Sequence, residues 1–203
     1  MTSIANLKSW YLNNWFSSDF QFHHLYPPSM QQLARRHWTP LNVARQAVQF
    51  LVPEDGVRVL DIGSGVGKFC LCAAYYKPEA LFYGVEQRNN LVGHAEVAKN
   101  ILGLVNVSFV HGNFTRLNLK QYDHFYFYNS FYENLRGTPK IDNNISFSET
   151  LYYYYNRYLF KQLEEMPVGT RVVTRCSWED KIPSSYRMVN TDLDNMLQFH
   201  IKA

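Results

Sequence analysis

"VLDIGSGVGKFCLCAA", residues 59–74, is an apolar run that breaks into three glycines and then resumes as a helical pattern. Glycine at the end of a buried strand weakens that strand and costs backbone entropy. Gly63, Gly65 and Gly67 therefore mark a place where the chain must turn sharply or come close to a ligand. Outward from this point the sequence alternates. Val57 to Ile62 reads as a buried strand, Val66 to Tyr76 as a helix, Leu81 to Val85 as a second strand and Leu91 to Leu104 as a second helix. Val107 to Val110 and Asp123 to Tyr128 read as two more strands, Ser148 to Met166 as a long tyrosine-rich helix, and Arg171 to Cys176 as a fifth strand. Tyr186 to Asn190 and Met196 to Lys202 form a closing hairpin. This order implies an α/β fold: a Rossmann-like, seven-stranded, mostly parallel sheet with helices on both faces and an antiparallel edge hairpin. Ligands of such sheets lie outside the carboxyl ends of the strands, where strand order reverses. Asp61-Ile62-Gly63 is one of those ends.

Upstream, residues 1–35 read as an N-terminal helical arm and residues 36–203 as the main domain. The arm is rich in aromatics, among them Trp10, Trp15, Phe16, Phe20 and Phe22. It can serve as a lid over the cleft or as a homodimer contact, and the sequence leaves both open. Pro27 and Pro28 stop it. Thr39 reads as an N-cap, with Pro40 at the first helical position.

The bulk numbers bound the function. A chain of 203 residues with 46% apolar residues builds one sizeable core. A net charge of +3 does not support a nucleic-acid-coating surface. No apolar run approaches the roughly 20 residues of a membrane span. The opening MTSIANLKSWYLNNWF does not read as a signal peptide. Cys70, Cys72 and Cys176 are odd in number, and two sit in an apolar helix, which argues for reduced thiols in the cytoplasm. No cluster has zinc-ligand spacing, so no metal is expected.

Two familiar glycine loops do not fit. After Gly67-Lys68 comes Phe69, so the phosphate-cradling G-x-x-x-x-G-K-[ST] pattern fails. Lys68 stands where a dinucleotide fingerprint needs its third glycine. The stretch D-I-G-S-G-V-G instead resembles motif I of the class I S-adenosylmethionine-dependent methyltransferases, whose fold is the one described above. The resemblance implies S-adenosylmethionine as cofactor, with Asp61, Gly63, Ser64, Gly65 and Gly67 in the loop that passes close to it. It implies a ribose-binding role for Glu86, which ends FYGVE, with Gln87 beside it. It places Asn113 at the adenine amine and Phe114 against the adenine ring, and it brings the Thr39 side chain to the cofactor.

The fourth strand leads into Asn129-Ser130-Phe131-Tyr132-Glu133, where this class places its methyl acceptor. The stretch lacks the prolines of [DN]-P-P-[YF]. Together with Y-G-V-E and G-N-F it looks closer to the Dot-like (disruptor of telomeric silencing) lysine methyltransferases, and it also looks like small bacterial methyltransferases of unassigned substrate. The implied reaction moves a methyl group to an amine-type acceptor, by resemblance a protein lysine. The chain has no long basic tail, so the cofactor site is carried over and the histone is not. The alternatives are a small molecule or RNA as acceptor, a non-catalytic scaffold that binds the cofactor, or a nicotinamide-dependent oxidoreductase. In the leading reading Asn129 aims the nucleophile and also borders the cofactor, Phe131 and Tyr132 form an aromatic slot, and Glu133 takes a proton or fixes a cationic acceptor. The Arg35-Arg36 pair reads as a solvated face.

Overall fold

The computed structural model describes residues 13–176, 182–192 and 196–203. Trp10 lies outside them. A single seven-stranded sheet has the order β3-β2-β1-β4-β5-β7-β6. Its strands are β1 (Arg58–Ile62), β2 (Leu81–Glu86), β3 (Val107–His111), β4 (His124–Tyr128), β5 (Arg171–Arg175), β6 (Tyr186–Asp192) and β7 (Leu197–Lys202). Strands β1 to β5 run parallel, and β7 runs antiparallel to both β5 and β6. The antiparallel strand thus lies one place in from the edge, and β6 forms the edge itself.

Alternate residues of the central strands feed two different cores. Val59, Phe82, Tyr126 and Val173 face one side, while Leu60, Val85, Phe125, Phe127 and Val172 face the other. A strand buried on both faces reads as a continuous apolar run, which is why period-two alternation is absent from VLDI and DHFYFY. Helices α4 (Leu41–Leu51), α5 (Lys68–Tyr76) and α6 (Asn89–Leu102) cover the first side. Helix α7 (Glu149–Glu164) covers the second, through Tyr155, Leu159 and Leu163. Ser148 caps α7 by accepting the Leu151 N–H at 3.1 Å.

The N-terminal segment packs into this body. It contributes the short helices α1 (Asp19–His23), α2 (Pro28–Gln31) and α3 (Ala34–His37). Phe16, Phe22, Leu25 and Tyr26 belong to the same core as α4 and α5, so no break in packing marks residue 35. Phe16 stacks on Tyr75 of α5 with centroids 4.0 Å apart, and the Tyr26 hydroxyl donates to the Val66 carbonyl at 2.9 Å. Lys68, where a dinucleotide loop needs glycine, is a buried cation paired with Asp19 and 3.0 Å from His23. That ion pair fastens the arm beside the glycine bend.

Thr39 is not the cap of α4. Pro40 occupies that position without a side-chain cap, and Asp19 supplies the acceptor instead, taking the Leu41 N–H at 3.1 Å. The Thr39 hydroxyl is drawn inward to the Tyr126 hydroxyl, 2.9 Å away. Helix α5 begins at Lys68, two residues later than the apolar pattern suggests, because Gly67 has φ +82°.

Candidate active site

Strand order reverses between β1 and β4, and a cleft of about 500 Å³ opens over their carboxyl ends. The bend after β1 forms its floor. The Gly63 and Ser64 N–H groups both donate to the Val85 carbonyl, at 2.9 and 3.0 Å, which folds the loop back over β2. The glycines then divide their labour. A Cβ on Gly67 would stand 2.4 Å from Phe109 Cζ, and one on Gly63 would stand 2.9 Å from Ser130 Cβ. A Cβ on Gly65 would meet no protein atom within 4 Å. Gly63 and Gly67 are bare so that the protein can close on itself, whereas Gly65 borders the open cleft.

Glu86 ends β2 and is buried, with 6% exposure. Its two oxygens accept the Gly65 N–H at 3.2 Å and the Arg88 N–H at 2.9 Å. Burial raises its pKa, and those N–H bonds together with the Arg88 cation oppose the rise. A carboxylate oxygen has two lone pairs, so each retains one acceptor position. The Arg88 guanidinium is itself buried, at 4% exposure. It lies 3.5 Å from Glu86, donates to both oxygens of Glu133 at 2.8 and 2.9 Å, and donates to Asp142 at 3.0 Å. Its pKa is raised: burial lowers it, but Glu133, Asp142 and Glu86 together outweigh burial. One guanidinium thus meets three carboxyl groups here, with the Lys140 ammonium close by on the Glu133 carbonyl.

An aromatic pair joins the cofactor side of the cleft to the acceptor side. Phe114 and Phe131 stack at 5.2 Å with an interplanar angle of 21°. Asn129, at the end of β4, has φ +48°. Asn tolerates this left-handed region better than most residues. The conformation turns the chain sharply: the Asn129 N–H donates to Arg175 of β5 while its carbonyl accepts the Tyr132 N–H.

Nine of the residues expected from the sequence line this cleft: Gly63, Gly65, Glu86, Gln87, Phe114, Asn129, Phe131, Tyr132 and Glu133. Thr39, Asp61 and Ser64 line a smaller recess next to it, which also shares Gly63. The Ser64 hydroxyl oxygen is buried with no hydrogen-bond partner among the described residues. Asp61 is buried beside the Cys70 thiol, 3.6 Å away, and burial pushes its carboxyl up to about 8.

Three of the expected residues have other partners in the structure. Gly67 borders neither cavity, and a Cβ on it would crowd Phe109 and Ala95. Asn113 is turned into its own loop: its carbonyl oxygen accepts from the N–H and hydroxyl of Thr115, and its amide donates to the Tyr155 hydroxyl at 2.8 Å. The Asn-capped turn uses up that acceptor. Glu133 is no free base, because Arg88 holds both its oxygens and the Ile141 N–H donates to it at 2.6 Å.

Other lining residues carry little sequence signal. Arg88, Ile141 and Phe147 come from stretches with no motif, as do Arg35, Arg36, His37 and Trp38. For Arg88 the one hint is its place two residues after Glu86.

Residues 53–136 match a family model described as a methyltransferase domain. A tRNA (guanine-N(7)-)-methyltransferase of Microcystis aeruginosa is 48% identical over 54 residues, 27% of this chain and 26% of that protein. One from a Synechococcus species is 37% identical over 87 residues, 43% of this chain and 30% of that protein. The matched stretch therefore spans about a quarter to a third of these relatives' length. Among solved structures, an RNA methyltransferase from Salinibacter ruber in complex with S-adenosyl-L-homocysteine superposes with a TM-score of 0.58. It shares 19% identity, over 81% of this chain and 92% of that one. The magnesium protoporphyrin IX methyltransferase of Synechocystis PCC 6803 with bound S-adenosylmethionine superposes with a TM-score of 0.60, at 16% identity over 97% of both chains. At such identities these structures establish the shared fold. The fold shared with these proteins is that of the class I methyltransferases, and the matched segment, residues 53–136, carries the glycine bend and Glu86. A specific likeness to the Dot-like lysine enzymes finds no support among these relatives.

Proposed function

We propose that this protein methylates RNA, transferring the methyl group of S-adenosylmethionine to a ring nitrogen of a purine base, with guanine N7 the leading candidate. The observation that carries the cofactor half of the reading is the open position over Gly65, next to the buried Glu86 carboxylate, each of whose oxygens accepts only one hydrogen bond from the described residues. A ribose diol donates two hydrogen bonds, and Glu86 can take both. Phe114 faces the same cleft and offers an aromatic surface to the adenine. Thr39, Asp61 and Ser64 line the small recess that meets the cleft at Gly63, and offer polar atoms next to where the amino-acid end would lie.

The cofactor supplies a sulfonium methyl with its leaving group already attached. The carbon–sulfur bond breaks and its electron pair returns to sulfur as the carbon–nitrogen bond forms. Guanine N7 presents a neutral lone pair and has no proton to lose. The chain then needs no general base, which accords with Glu133 being fully engaged by Arg88 and Ile141. Its work is placement. The positive charge that leaves sulfur ends on the base, in a cleft that Glu86 and Glu133 line. Phe131 and the exposed Tyr132 can hold a planar base. Arg35 and Arg36, exposed on α3 at the rim of the cleft, can meet phosphates despite the small overall charge. The relatives named as tRNA (guanine-N(7)-)-methyltransferases favour this acceptor over a protein lysine. We place the reaction in the cytoplasm, where the three unpaired cysteines stay reduced.

The test is transfer of labelled methyl groups from S-adenosylmethionine to bulk tRNA, ribosomal RNA and histones in parallel. The reading expects label in RNA, released as 7-methylguanine. Label confined to histones, or none in any RNA while the cofactor binds, contradicts it.

A further inference from the structure

We propose that Arg88 is a positioning residue that couples cofactor binding to the order of the acceptor-side segment, residues 129–148. The inference rests on the reading of Glu86 as a cofactor ligand and extends it to the opposite wall of the cleft. Arg88 sits at the N-cap of α6, on the rigid sheet side, and its own backbone N–H donates to Glu86. Its guanidinium reaches across to Glu133 and Asp142, both on the far segment. That segment holds only a single helical turn, Tyr132–Asn134; its start is tied to the sheet by Asn129 on Arg175 and Ser130 on Ile62, and Ile141 packs on the core, but the described polar ties of Glu133 and Asp142 other than Arg88 are local. Lys140 donates to the Glu133, Leu135 and Thr138 oxygens, Ile141 donates to Glu133, and Asp142 accepts from Asn144. Arg88 is thus the cation shared by the ribose-side acid and the acceptor loop.

The charges make this junction responsive. Three carboxylates around one buried guanidinium repel one another strongly in a medium of low dielectric. Two ribose hydroxyls donating to Glu86 would disperse part of its charge. Arg88 would then be held more firmly by Glu133 and Asp142, and the loop would tighten when the nucleoside binds. A planar fork is required, because five fixed donors serve three acids at once, and a lysine ammonium cannot span them.

Hydrogen exchange tests this without turnover. Exchange is followed in residues 133–142 and 63–67, with and without S-adenosylhomocysteine, for the native chain, Arg88→Lys and Asp142→Asn. In the native chain the ligand slows exchange in both stretches. In Arg88→Lys the slowing persists at 63–67 and is lost at 133–142. Asp142→Asn, which leaves the buried cation in place, shows a reduced but measurable slowing at 133–142 and covers the case that Arg88→Lys does not fold. Equal ligand-dependent slowing at 133–142 in all three proteins overturns the coupling. A native chain that does not bind the nucleoside at all overturns the cofactor reading first, and the coupling with it.

Discussion

The half of the cleft over β1 and β2 is made largely of backbone, while the half over β4 is made of side chains from distant stretches. On the first side, bare glycines, two N–H groups on one carbonyl and a carboxylate at a strand end shape the surface. On the second, Glu133 and Asp142 are gathered by Arg88, and Phe131 and Tyr132 follow the Asn129 bend. A backbone site needs glycine at set positions and leaves a short motif. A side-chain site can be assembled in many ways and leaves none. The first half should be shared across the class, and the second should select the acceptor.

The sharpest way to break the comparison lies within the bend. Gly67→Ala combines a left-handed φ of +82° with a Cβ 2.4 Å from Phe109. Strain and crowding together should cost about 2–5 kcal/mol of stability, read by urea unfolding. Gly65→Ala, with no protein neighbour to meet, should lose only about 1 kcal/mol of stability from its φ, yet lose most of its S-adenosylhomocysteine affinity. Similar stability losses in both variants would show that the two glycines do not have separate tasks.

Glu86→Ala comes next, with an expected loss of about 1.5–3 kcal/mol in binding of the nucleoside by calorimetry. Asp61→Asn probes the recess through pH. The Asp61 carboxyl stands at about 8 in the folded chain, above its ordinary value, so the folded state favours the protonated form. The native chain should lose stability as pH rises from about 4 to 8, by up to about 1.4 kcal/mol per unit, relative to Asp61→Asn, which has no such slope. Parallel stability–pH curves would remove Asp61 as a buried acid. The smallest effect belongs to the rim. Arg35→Ala and Arg36→Ala should weaken RNA binding alike across sequences and each lower the salt slope by about 1, with cofactor affinity unchanged.

This division also accounts for what the sequence disclosed. Strand and helix order was legible because β1 to β5 are apolar runs separated by turn residues. The glycine bend and Glu86 were legible because their chemistry lies at fixed spacing along one stretch. Asn113 was ambiguous because its residue type suits both an adenine contact and a capped turn, and the structure shows the turn, closed on Thr115. Thr39 misled because Asp19, 22 residues away in sequence, offers the better cap to Leu41. Arg88 stayed hidden because its partners lie 45 and 54 residues further along. Gly84 was passed over as a strand residue, although a Cβ there would stand 2.6 Å from Ser64 Oγ.

Calorimetric titration of the intact chain with S-adenosylhomocysteine, beside Gly65→Ala and Glu86→Ala, tests the central claim most directly. The account predicts saturable one-to-one binding to the intact chain and a loss of at least about ten-fold in each variant, equivalent to about 1.4 kcal/mol. Binding of equal strength in all three proteins, or no heat with the intact chain, would contradict it.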